Sequence, residues 1–313
     1  MLSDVKVNSG ELYTNLCTNY FESSFGIKGQ KESSDIYFEM AIEKQPTPNT
    51  QEVLKYKKAI SIEDANLSQF INHTVDETLS ISSTIVPKTA DQLNILVDGE
   101  VISDFLNNLI SHLNARREYE KSPFLAIGSN ITTGEKNAES DSINLSLDPT
   151  LPVMALTSPF TEEGMKPMKA VVIKDDIVQV QITHNRMGQY LGKQPNYIAG
   201  NMILEKGQKN KTDLLRSVEE CIEIISFSSL LIDENTLTWS SEIKLGKLYN
   251  NGEFISMVKG GVLSGNIKSN LSFFNFDNSE IRINEMGGGF EPAKGYIGPN
   301  HMLIKSGVKV VGE

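Results

Sequence analysis

The stretch Leu248-Tyr249-Asn250-Asn251-Gly252-Glu253-Phe254-Ile255-Ser256-Met257-Val258 decides the fold class. Asn250-Asn251-Gly252 is turn chemistry, since Asn and Gly accept the backbone angles of a tight reversal, and residues 253–258 after it read as a strand. A turn that short joins antiparallel neighbours. Lys174-Asp175-Asp176 repeats the signal between extended readings at 170–173 and 177–182. Further strands are expected at 35–42, 92–97, 230–232, 236–239, 280–283 and 302–311. Strands therefore outnumber helices without alternating with them, which predicts an α+β fold with largely antiparallel sheets rather than a doubly wound parallel one.

Helical spacing of apolar residues predicts three amphipathic helices to pack on those sheets. The first covers residues 62–82, with Leu67, Phe70, Ile71, Val75 and Leu79 on one side and Ser61 as N-cap. The second covers 103–119 through Phe105, Leu106, Leu109, Ile110 and Leu113. The third follows Thr212-Asp213 and runs through Leu214, Leu215, Val218, Cys221, Ile222 and Ile225.

At 313 residues the chain is long enough for two domains. The polar connector from Ser82 to Thr89, stopped by Pro87, predicts a boundary near residue 85, giving units 1–85 and 86–313. Residues 132–144 are expected as an exposed loop. With 29 basic and 40 acidic residues the net charge is −11, and no basic block is long enough to track phosphates, so direct nucleic-acid binding is not expected. Apolar runs such as 170–173 are far too short to cross a bilayer, and the N-terminus lacks a signal-peptide pattern; no membrane association and a cytoplasmic location are expected. Cys17 and Cys221 have no Cys-x-x-Cys or Cys/His neighbours, so both are expected as buried apolar residues without a disulfide or structural zinc.

Local chemistry is sparse. His73, His112, His184 and His301 form no His-Glu-x-x-His pair. Gly261-Val262-Leu263-Ser264-Gly265 has the wrong spacing for a nucleophile elbow. Gly287-Gly288-Gly289 is not followed by the Gly-Lys-Ser/Thr of a phosphate cradle and reads as a turning loop. Glu162 and Glu163 could share a proton as general base or metal carboxylates if buried together, and otherwise sit on an exposed loop. Arg116 and Arg117 are accounted for by the dipole of the helix they end.

The order of several segments resembles the TldD/PmbA family of metallopeptidase-related proteins, which also carries the older label of modulator of DNA gyrase. They are Ser23-Ser24-Phe25-Gly26, Leu147-Asp148-Pro149, Ser158-Pro159-Phe160-Thr161-Glu162-Glu163-Gly164, Gly200-Asn201, Leu248 to Glu253, and Leu263-Ser264-Gly265-Asn266-Ile267, closed by the strand at 302–312. The likeness spans nearly the whole chain, while the family's opening segment, roughly its first quarter, has no counterpart here.

The resemblance implies a cytoplasmic dimer in which a metal-bearing TldD-type subunit hydrolyses peptides and a PmbA-type subunit lacks the metal. The metal-bearing type carries His-Glu and a second His five positions after the first on one helix, with a later Cys. On that pattern Asn107 and Asn108 stand at the His and Glu positions, His112 matches the second His, and the late ligand falls near 287–290, where there is no cysteine. An amide is a poor ligand beside imidazole and cannot take a proton from water. No catalytic residue, metal or cofactor is therefore expected, and the resemblance implies a PmbA-like subunit that binds peptide as a homodimer or with a metal-bearing TldD-like partner. A stand-alone homodimeric binding or structural protein, and an autonomous metallopeptidase built on His112, His184, Glu162 and Glu163, remain the alternatives.

Overall fold

The computed structural model describes residues 4–24, 26–45, 52–81, 84–286 and 293–312. A long antiparallel hairpin opens it, β1 (Val5–Glu22) and β2 (Lys28–Lys44), and β3 (Val53–Ala59) pairs with β2. Helices α1 (Ile62–Ala65) and α2 (Leu67–Ser80) follow. The helix expected over 62–82 is thus broken at Asn66, whose left-handed backbone (φ 41°) suits the short polar side chain. Phe38, Met40 and Ile42 of β2 bury one face of this small sheet against Phe70, Ile71, Val75 and Leu79 of α2. The other face carries a row of rings, Tyr13, Tyr37 and Tyr56, with centroids 6.2 and 6.1 Å apart.

The rest of the chain builds two larger sheets. In order come β4 (Thr84–Ile85), β5 (Ile95–Asp98), α3 (Gly99–Ser111), α4 (Ala115–Tyr119), β6 (Leu145–Asp148), β7 (Ala170–Lys174), β8 (Ile177–Val178), α5 (Asn185–Leu191) and β9 (Asn201–Leu204). They are followed by α6 (Lys211–Arg216), β10 (Glu220–Phe227), β11 (Leu231–Ile232), β12 (Thr238–Asn250), β13 (Glu253–Val258), β14 (Val262–Asn266) and α7 (Ile267–Asn270). Last are β15 (Phe274–Phe276), β16 (Ile281–Glu285), β17 (Lys294–Gly298), β18 (His301–Ile304) and β19 (Val308–Val311). One sheet runs β15-β18-β5-β10-β12-β13-β4, with β11, β14 and β19 attached through β12; the other runs β16-β17-β9-β6-β7-β8. Among the strands of the described residues only β5–β10, β4–β13 and β9–β17 pair in parallel, with isolated parallel bridges at Asn114–Ile182, Met168–Ile198 and Lys209–Asp277. The fold is α+β and largely antiparallel.

Strand β5 explains how the layers stack. Ile95 and Val97 point into the main core with Ile102, Phe105, Leu106 and Leu109 of α3, while Leu96 points the other way onto Leu214 and Leu215 of α6. A strand buried on both faces reads as an unbroken apolar run.

The same two-sided burial corrects the third helix. Only residues 211–216 are helical, capped by Asn210, whose side chain accepts from the Asp213 amide. The chain then enters β10, where Cys221 faces α6 while Ile222 and Ile224 face the main core. With apolar residues on both faces, the period of two disappears into a run that counts like a helix.

Three other expectations shift. The helix of 103–119 starts earlier, at Gly99, because Asp98 accepts from the Val101 amide as N-cap, and it stops at Ser111; α4 is separate. The strand of 302–311 is two strands, divided at Gly307, whose φ of 68° turns the chain from β18 to β19. The strand of 177–182 is confined to β8, and Ile182 instead bonds to Leu113 and Ala115. Cys17 is exposed, contrary to expectation, because most of β1 lies on the surface; Cys221 is buried. The hairpin at 250–253 forms, with Asn251 and Gly252 both at positive φ (49° and 80°), as a two-residue reversal requires.

Candidate functional site

Helix α3 places the three residues singled out by sequence. Asn107 and Asn108 are half-buried, and the Asn108 side-chain amide donates to the Asp104 carbonyl at 3.0 Å. His112 is the C-cap, 4% exposed, and its Nε2 lies 2.7 Å from the carbonyl oxygen of Glu234 in the β11–β12 connection. A carbonyl only accepts, so Nε2 carries the proton. Burial holds the His112 pKa below its ordinary value, with Arg117 and Lys268 adding to the effect against the carbonyl's pull.

These residues do not suit a hydrolytic metal. Of the three, His112 alone carries a good ligand group, its Nε2 is committed to a backbone carbonyl, and the amides of Asn107 and Asn108 earlier on the same helix are weak ligands with no basicity. Among the described residues no group of three or more His, Cys, Asp or Glu side chains is arranged to hold a metal ion. Residues 287–290, where the resemblance puts the late ligand, and the Gly287-Gly288-Gly289 run lie outside the described residues.

The acidic pair is not brought together with His112 as a reaction centre. Glu163 accepts from the backbone amides of Asn185 and Arg186 at 2.7 and 3.2 Å, capping α5 just after His184. Its charge answers the positive end of that helix. Glu162 is exposed.

What does converge is the set of short segments. Asn201, fully buried, donates to the Asp148 carbonyl (3.0 Å) and to Thr157 Oγ1 (3.1 Å), and accepts from the Leu156 amide (2.9 Å). Gly200 has φ 122°, and a Cβ there would lie 2.3 Å from the Asp148 carbonyl carbon. Gly200-Asn201 therefore rivets the 148–157 loop. From the other side Asn284 accepts from Ala155 and donates to Val153. At the loop's far end Phe160 packs on Phe21 (5.6 Å), and Gly29 and Gly164 leave room for these rings.

Sequence reasoning missed a charged cluster at the start of α3. Lys294 of β17 pairs with Asp104 at 2.6 Å. Burial, reinforced by Glu100, raises Glu285, and the same two influences raise Asp98 to about 6. The residues come from β5, α3, β16 and β17, and no local motif announces their meeting. A cavity of about 740 Å³ lies farther along, over β11, β12 and β14, lined by Asp233, Thr238, Trp239, Ser264 and Asn266 among others.

Residues 90–306 match the family of the PmbA/TldA metallopeptidase C-terminal domain. The chain belongs to the PmbA/TldD family. No curated protein matches it in sequence. Solved structures similar to it include TldE from Thermococcus kodakarensis, at 14% identity and TM-score 0.80, covering 99% of this chain and 70% of that one. Proposed modulators of DNA gyrase from Bacteroides thetaiotaomicron (19%, 0.78, 97% and 66%) and Thermotoga maritima (15%, 0.75, 99% and 70%) are also similar. At such identities they establish the shared fold. The chain spans about two thirds of their length. In this PmbA/TldD member the segments that carried the resemblance at 147–149, 158–164 and 200–201 are the ones that Asn201 and Gly200 hold together. No helix among the described residues is long and apolar enough to cross a membrane.

Proposed function

We propose that this PmbA/TldD-family chain is a PmbA-like, non-hydrolytic subunit of a cytoplasmic peptidase assembly, pairing with itself or with a metal-bearing TldD-like subunit and positioning peptide. In this reading residues 1–85 and 86–313 are two units, and Asn107, Asn108 and His112 occupy a former metal position. The observation that carries it is the bond from His112 Nε2 to the Glu234 carbonyl, at the end of a helix that bears amides at 107 and 108. That bond holds the ring as a strut, and the amides have no basicity with which to activate water.

A peptide could add to β13 by backbone pairing. Its outer edge is taken by β4 at Met257 and Val258, and among the described residues the stretch from Glu253 to Ser256 has no partner on that side, with Phe254 and Ile255 exposed. Mixing the purified chain with a metal-bearing TldD-type protein tests the subunit role. Formation of mixed dimers and faster peptide cleavage support it; the absence of both rejects it.

A further inference from the structure

The outer edge of β1 is an unusual surface. β1 is the end strand of its sheet, eighteen residues long, and among the described residues nothing pairs its outward-facing backbone. Edge strands are ordinarily protected from pairing by charges, proline or shortness. From Leu12 to Phe21 this one has no charged residue and no proline.

Its side chains also form a pattern. Leu12 lies opposite Phe38, which packs edge-on against Phe70 of α2. Side chains two apart share a face, so Leu12, Thr14, Leu16, Thr18 and Tyr20 all lie on the side that α2 covers over β2 and β3. The helix does not shield them: Leu12 is 56% exposed, Leu16 91% and Tyr20 78%. The result is an apolar stripe continuous with the core of the small sheet and lying along an open edge.

We propose that β1 docks antiparallel on β1 of a second copy of this chain, about a two-fold axis through Leu16, joining two three-stranded sheets into one of six. With the axis normal to the sheet, residue i faces residue 32 − i, which keeps both stripes on the same side. Leu16 then meets Leu16, Leu12 meets Tyr20, and Thr14 meets Thr18. Glu11 falls opposite Phe21 and Glu22 opposite Gly10, so no like charges are opposed. Aliphatic–aromatic and Thr–Thr pairs are the cross-strand combinations that stabilise a sheet. This names the self-pairing surface of the proposed assembly and takes only its paired state from that reading.

Sedimentation of the full chain and three variants tests the pairing, with circular dichroism to verify folding. The wild type is expected to be a dimer. Leu16→Lys sets two ammonium groups face to face at the axis, and Thr14→Lys with Thr18→Lys sets four in opposed pairs; each is expected to weaken the dimer at least about tenfold. Thr14→Lys with Thr18→Glu restores opposite charges in this register alone, and its dimer is expected to return. A monomeric wild type, a dimer indifferent to Leu16→Lys, or a failure of the Lys/Glu pair to rescue overturns the proposal. None of these results bears on whether the chain cleaves peptide, so the non-hydrolytic reading stands or falls separately.

Discussion

His112 Nε2 donates a hydrogen bond to the backbone carbonyl of Glu234 across 2.7 Å, joining the C-terminus of α3 to the β11–β12 connection. The bond makes His112 a structural tie between the two elements. Replacing the ring with alanine removes the bond and leaves a buried void, and His112→Ala is expected to cost about 2–4 kcal/mol in urea unfolding, with His112→Gln costing less. The ring's pKa is lowered in the folded protein, so its contribution is complete above the ordinary histidine value and declines as pH falls below it. Unfolding at pH 7.5 and 5.5 checks the sign: the wild type should lose more stability on acidification than His112→Gln.

Asp98 gives the opposite slope. Its carboxyl is raised from 3.8 to about 6, chiefly by burial and then by Glu100. The folded state therefore binds that proton more tightly than the unfolded state, and the ionised group carries a penalty that is fully present above about pH 6 and gone below about pH 4. Asp98→Asn keeps an oxygen to cap the Val101 amide. It is expected to stabilise the protein by about 1–2 kcal/mol at pH 7.5 and by little at pH 4, read by thermal unfolding at both.

Asn201 anchors the convergent loop with three hydrogen bonds from a fully buried amide. Asn201→Ala should leave buried backbone groups of Asp148 and Leu156 without that partner and cost about 2–4 kcal/mol. Gly200→Ala should fare no better, because φ 122° and the Asp148 backbone leave no place for a methyl group. Protease susceptibility across 149–164 reads the loop directly and should rise in both variants.

The two cysteines should separate cleanly. Cys17 is exposed, whereas Cys221 is buried and its thiol pKa is pushed far up by burial and by Glu223. A thiol-specific reagent is expected to modify one cysteine per native chain and two per unfolded chain, and Cys17→Ser should abolish the native reaction.

Elements with one buried face were legible in the sequence. The stripe of Phe70, Ile71, Val75 and Leu79 announced α2, and Asn251-Gly252 announced the β12–β13 reversal. Failures had two physical sources. In β10 both faces are buried, so Cys221, Ile222 and Ile224 gave no alternation. In β1 most of both faces is exposed, so Asn, Thr and Ser mask a strand that exists through its pairing with β2. At the site, the line of Asn107, Asn108 and His112 could be read along the chain. The His112–Glu234 tie and the Asp98, Glu100, Asp104, Glu285 and Lys294 cluster could not, because they depend on contacts between segments far apart in sequence.

Peptide hydrolysis by the purified chain alone, with and without added zinc and with a chelator, tests most directly whether this PmbA/TldD-family chain grips without cutting. No turnover above the uncatalysed rate is expected in any of the three conditions. Cleavage that appears with zinc, disappears with the chelator and is abolished by His112→Ala would contradict it.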